Sequence, residues 1–139
     1  MIKAKYFKIH ELIPPLAYTR FGNTKGWTLL DPKLIMLIDA MRERYGSATC
    51  NNYKYGGNRQ WSGLRTSDSP YYSAYSQHSF GRAADLLFNG MTAEEVRADI
   101  IAKPEKFLEI APSITLELDT TWTHIDVRNG AYGINTFKP

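Results

Sequence analysis

The segment Ser76-Gln77-His78-Ser79-Phe80-Gly81-Arg82-Ala83-Ala84-Asp85 sets an imidazole and a carboxylate seven residues apart, with a glycine and two alanines between them. Gly81 permits a tight bend between the two polar groups, and the small residues let backbone pass close to a site. A second imidazole, His124, stands in Trp122-Thr123-His124-Ile125-Asp126-Val127-Arg128. The chain has only three histidines, so two of them fall in these two runs. Two imidazoles and one carboxylate form a three-ligand set that leaves a fourth tetrahedral position for water, the arrangement of a catalytic zinc. Taken singly, each residue has an ordinary alternative: His78 as a turn residue, Asp85 as an arginine partner, His124 as a hydrogen-bonded strand histidine.

The stretches Ser113 to Leu118 and Trp122 to Val127 alternate as strands do, and Thr120-Thr121 between them reads as a two-residue hairpin turn. That register sets Asp119 opposite Trp122, Leu118 opposite Thr123 and Glu117 opposite His124. Residues directly opposite share a face of the sheet. Glu117 then stands beside His124, where a carboxylate can take a proton from an attacking water. Asp119, nearer the turn, is the reserve for that role. Asp126, on the same face, either orients an imidazole N–H or pairs with Arg128. An exposed acidic hairpin face is the alternative reading.

The elements that must position these residues are legible around them. Asp31-Pro32 opens a helix with a capping carboxylate and a proline at its first position. Leu34, Ile35, Leu37, Ile38 and Met41 form its apolar face, and Gly46 supplies the stop. Thr92 and Glu95 form a capping box for a second helix, which Lys103-Pro104 ends, and Glu105 to Ile110 is a further short helical piece. Ala48 to Tyr53 and Ala83 to Phe88 add strand material. Residues 54–77 lack periodicity and carry Gly56-Gly57, Ser62-Gly63, Pro70 and a tyrosine cluster, as a functional loop does. Helices with a small, largely antiparallel sheet make the fold class α+β.

Composition bounds the function. With 139 residues and no repeat or linker-like shift, one domain over 1–139 is expected. Lys plus Arg is 17 against 14 Asp plus Glu, a net charge of +3. That is mild for a nucleic-acid binder, and no nucleic-acid partner is expected. No stretch is long and apolar enough for a membrane span, and the amino terminus has no signal-peptide pattern, so synthesis in the cytoplasm is expected. A single cysteine, Cys50, excludes an internal disulfide and reads as a small core residue. His10, in an apolar segment, reads as structural. Some of Tyr53, Tyr55, Trp61, Tyr71, Tyr72 and Tyr75 could wall a cleft.

The run Ser76-x-His78-x-x-Gly81-x-Ala83-x-Asp85, followed by Trp122-x-His124 and preceded by Ser62-Gly63-Leu64-Arg65, resembles a family of bacterial cell-wall peptidases. These are the zinc D-alanyl-D-alanine carboxypeptidases and L-alanyl-D-glutamate endopeptidases, which share the hedgehog/DD-peptidase fold. The matched region is residues 62–128, about half the chain, while residues 1–60 look like those of phage-derived members. The resemblance implies a Zn2+ ion on His78, Asp85 and His124, with Arg65 and Ser76 serving substrate, Ser76 through hydrogen bonds that support the site. It implies a monomeric metallopeptidase acting on peptidoglycan peptides, in an endolysin-type or virion-borne setting that reaches the wall by phage-mediated release. One departure stands out. Several members carry the catalytic acid three residues before the second histidine, where this chain has Thr121; other members carry it on the preceding strand, as Glu117 would be here. Two other readings accompany this one: a non-catalytic peptidoglycan-binding or phage structural module that keeps the fold, and a zinc-stabilised signalling domain.

Overall fold

Asp31 begins the fold's central helix as its side chain predicts, accepting the Lys33 amide at 2.8 Å. In the computed structural model, which describes residues 1–139, helix α2 runs from Pro32 to Tyr45 and ends at Gly46, whose φ of 90° suits a residue without Cβ. Its apolar face is fully inside: Leu37, Ile38 and Met41 are each 0% exposed. Helix α1, Pro15–Lys25, precedes it and buries only Ala17. Periodicity gives no sign of α1, because so little of it faces the core. Helices α3, Ala93–Ala102, and α4, Glu105–Ile110, lie where their caps and prolines place them. The Thr92–Glu95 capping box closes in both directions, at 3.1 and 2.9 Å.

Five strands follow the order β1 (Ala48–Thr49), β2 (Ala83–Phe88), β4 (Thr123–Asp126), β3 (Ser113–Glu117), β5 (Gly133–Phe137) across one sheet. The pairs β1–β2, β2–β4 and β3–β4 are antiparallel, and β3–β5 is parallel. The class is therefore α+β with a mixed, largely antiparallel sheet. Strand β1 is shorter than the Ala48–Tyr53 expectation, since the chain turns into a single 3-10 turn at Tyr53–Tyr55. Strand β5 lacks a buried stripe, so alternation gives no sign of it. Residues 56–76 contain neither helix nor strand.

The period of two decides what each face of the sheet does. Ala84, Leu86 and Phe88 of β2, Ile114 and Leu116 of β3, and Ile125 of β4 enter the core with α2, Val96 and Ile100. The alternate residues, Asp85, His124, Asp126, Thr115 and Glu117, fall on the opposite face. Asp85 pairs with His124 across β2–β4. Thr115 pairs with Asp126 and Leu116 with Ile125 across β3–β4, and one further step of that register sets Glu117 beside His124. Glu117 in turn pairs with Phe137 of β5. A row of Asp85, His124, Glu117 and Phe137 thus crosses four strands. No helix is long and apolar enough to cross a membrane.

Candidate metal centre

His78 arrives from outside the sheet, on a 3-10 turn spanning Gln77–Phe80. Ser76 caps this turn by accepting the His78 amide at 3.2 Å. Gly81 ends it in the left-handed region, at φ 68°, with its Cα so close to Leu29 that a Cβ would sit 2.1 Å from the Leu29 carbonyl oxygen. A side chain there is excluded twice, by conformation and by space.

The Ser62–Arg65 run ties His78 to Asp85. His78 Nδ1–H donates to the Gly63 carbonyl at 2.8 Å, which leaves Nε2 facing Asp85. The Arg65 amide donates to the His78 carbonyl at 3.1 Å, and the Asp85 amide to the Ser62 carbonyl at 2.7 Å. Gly63 lies on the Leu12 backbone, where a Cβ would come within 2.1 Å of the Leu12 oxygen. Leu64 N–H donates to that same oxygen at 2.9 Å. The Ser-Gly-Leu-Arg sequence is therefore a strap whose main chain holds two of the three candidate ligands.

His78, Asp85 and His124 converge, with one potential ligand atom from each lying within 4.8 Å of the others, and all three are buried. Asp85 Oδ1 is 2.9 Å from His124 Nδ1 and 3.3 Å from His78 Nε2. A tetrahedral ion with ligands about 2.0–2.2 Å away has ligand–ligand edges of about 3.3–3.6 Å, so the set fits a metal with small adjustments. The group could hold a metal ion. The chemistry of the donors also fits, because each outer atom is already committed. His124 Nε2–H donates to Asp126 Oδ2 at 2.8 Å, which orients Nδ1 toward the cluster. Asp126 is fully buried and accepts the Arg128 guanidinium through Nε at 2.8 Å and Nη2 at 2.6 Å. Both roles open to Asp126 in the sequence are thus realised at once.

These contacts set the charges. Burial alone would raise the Asp85 carboxyl, but hydrogen bonds from His124 and His78 outweigh it and hold the group well below the usual carboxylate range. Burial would lower the His124 imidazole, but its bonds to Asp126 and Asp85 raise it to about 9. Asp126 is likewise lowered, since the Arg128 and His124 bonds overcome its burial.

The cluster opens into a cleft of about 370 Å³ whose lining includes Arg65, Ser76, Glu117 and Phe137. Glu117 is half-buried there, and its carboxylate has no hydrogen bond or ion pair. Arg65 faces the same cleft but is held more closely than a free substrate arginine. Its Nε donates to the Trp61 carbonyl at 2.8 Å and its Nη2 to Asp85 Oδ2 at 3.3 Å.

Asp119 is not brought to the cluster. Strand β3 ends at Glu117 and β4 starts at Thr123, so five residues connect them in place of the expected two-residue Thr120-Thr121 turn. Asp119 has a φ of 60° and is exposed, 3.9 Å from Lys138. It lines a separate hollow beside α3, together with Thr121. The longer connection is held by Arg97, a 7% exposed residue of α3 whose guanidinium donates to the Thr120 hydroxyl and to the Thr120 and Trp122 carbonyls at 3.1–3.3 Å. No local pattern marks Arg97, because its partners are more than twenty residues away. His10 is buried against the edges of Tyr18 and Tyr55, and Cys50 is fully buried, both as structural residues.

No family model, curated protein or solved structure matches this chain.

Proposed function

We propose that this chain is a zinc-dependent peptidase acting on the stem peptides of bacterial cell wall, with the hedgehog/DD-peptidase architecture that its motifs resemble. The observation that carries this reading is the cleft in which His78, Asp85 and His124 stand beside an unpaired carboxylate, Glu117. A structural metal site usually completes its own coordination with four protein ligands, whereas three ligands at an open cleft suit catalysis. The resemblance of residues 1–60 to phage-derived members supports a phage-type lytic enzyme.

His78, Asp85 and His124 would hold the ion, which when bound polarises a scissile carbonyl and makes water nucleophilic near neutral pH. Glu117 accepts the proton of the attacking water and returns it to the leaving amine. Its freedom from other partners suits that exchange. Gly63 and Asp126 hold the two imidazoles in one tautomer and one orientation. Arg65 steadies Asp85 through Nη2 and is anchored on the Trp61 carbonyl through Nε, which leaves Nη1 for a substrate carboxylate or carbonyl in the cleft.

The deciding experiment is digestion of purified muropeptides by the zinc-loaded protein, followed by mass spectrometry, with a chelator-treated control. New peptide termini that vanish with the chelator are expected. A zinc-loaded protein that binds muropeptides and cuts none would instead be a binding module.

A further inference from the structure

Arg128 lines both the cleft over the candidate metal ligands and a further hollow, of about 280 Å³, that contains none of those three residues. Lys33, Arg82 and Arg128 bring three cations to this hollow, and Asp31 is its only carboxylate. That carboxylate is already engaged: it accepts the Lys33 amide at 2.8 Å and lies 3.6 Å from the Lys33 ammonium. Arg128 gives Nε and Nη2 to Asp126, which leaves Nη1 without an acceptor. Arg82 has no carboxylate partner. Its guanidinium lies 4.7 Å from the centre of the Phe80 ring, and its two Nη groups bond nothing in the protein. Setting Asp31 against Lys33 and Asp126 against Arg128 leaves the Arg82 charge uncompensated. The main chain adds donors. Asn129, Gly130 and Tyr132 line the same hollow, and their amides donate to no protein acceptor. Donors from three separate segments of the chain therefore surround one space that has almost no acceptor of its own.

We infer that this hollow binds a phosphate ester. A phosphate group carries more acceptor oxygens than a carboxylate, so it can meet guanidinium, ammonium and amide donors from several sides at once. Pro112 and Tyr132, the latter 78% exposed, give the hollow an apolar side. Free phosphate makes no use of such a wall, whereas the organic substituent of an ester packs against it. One hollow with one uncompensated cation suits a single phosphate group. The backbone of a nucleic acid needs a basic stripe instead, and the chain's net charge is only +3. The site does not depend on the peptidase reading, since it uses none of the candidate metal ligands.

The test is titration of the native chain with phenyl phosphate and with inorganic phosphate, followed through its amide resonances by heteronuclear NMR. Saturable shifts at the Asn129, Gly130 and Tyr132 amides are expected, with phenyl phosphate binding more tightly than inorganic phosphate. Arg82→Gln should weaken that binding about tenfold through loss of a charge-assisted contact. Lys33→Gln, at a more exposed side chain, should weaken it about threefold. Shifts confined to the candidate metal ligands, or shifts that do not saturate, overturn the site. Binding unchanged by Arg82→Gln, or by Lys33→Gln should the first variant fail to fold, overturns it as well. Equal or tighter binding of inorganic phosphate overturns the assignment to an ester.

Discussion

At the scale of single residues, the site separates groups that bind from groups that hold. Glu117 has no competing partner, whereas Asp126 is engaged by an imidazole and a guanidinium together. Their conservative variants should therefore fail differently. Glu117→Gln keeps shape and removes basicity, so zinc content should stay near one per chain while turnover falls on the order of a hundredfold or more. Asp119→Asn should leave turnover intact, because that carboxylate points to another hollow. Rates for the two variants beside their zinc content check the assignment, and a dead Asp119→Asn enzyme would refute it. Asp126→Asn acts one step away from the candidate ligands, through His124. The lost anchor on His124 should weaken zinc binding by about 10–100-fold, read by competition with a chelator of known affinity. Part of that loss comes from Arg128, left with a weaker acceptor.

Elements decide whether those residues meet at all. The Ser62–Arg65 strap works through its backbone, so its sensitive position is the one with no side chain. A Cβ at Gly63 would press on the Leu12 carbonyl, whose oxygen also accepts the Leu64 amide. Gly63→Ala should cost about 1–3 kcal/mol as the strap shifts. It should also lower zinc affinity, because the Gly63 carbonyl is the acceptor that orients His78. Thr92→Ala is the matched control. It removes the cap of α3 at a cost of about 1 kcal/mol, far from the cleft, so chemical denaturation should register the loss while zinc affinity holds. Equal loss of zinc in both variants would mean that affinity simply follows stability. The β3–β4 connection shows the same dependence on elements. Arg97 of α3 holds it open to five residues, and the side chain of Asp119 leaves the site face as a result.

For the molecule as a whole, the core and the candidate metal-ligand cluster lie on opposite faces of one sheet. The 27 buried apolar residues of the core include none of the three candidate ligands. The fold should therefore persist without metal, with zinc adding stability by mass action. At a free concentration of one hundred times the dissociation constant this amounts to about 2.7 kcal/mol. Thermal unfolding should shift upward with added zinc in the native chain and stay flat in His124→Ala. Far-ultraviolet circular dichroism of the chelated protein should retain native secondary structure. Unfolding on chelation would show that the ion is structural and would weaken the case for an open catalytic site.

Features that depend on near neighbours are legible along the chain. The caps of α2 and α3, the glycine stop at Gly46, the bend at Gly81, the apolar run of β2 and the alternation in β3 and β4 each rest on groups within a few residues of one another. The pairing of Glu117 with His124, expected from a two-residue Thr120-Thr121 turn, follows from the β3–β4 register although five residues make the connection, because alternation in both strands allows few pairings that bury both apolar faces. The contacts that join distant segments emerge only in the folded chain: Gly63 to His78, Arg65 to Asp85, Arg97 to Thr120, and the parallel addition of β5. These follow from which elements pack together, and that is settled by burial of the common core, a property no short window of residues contains.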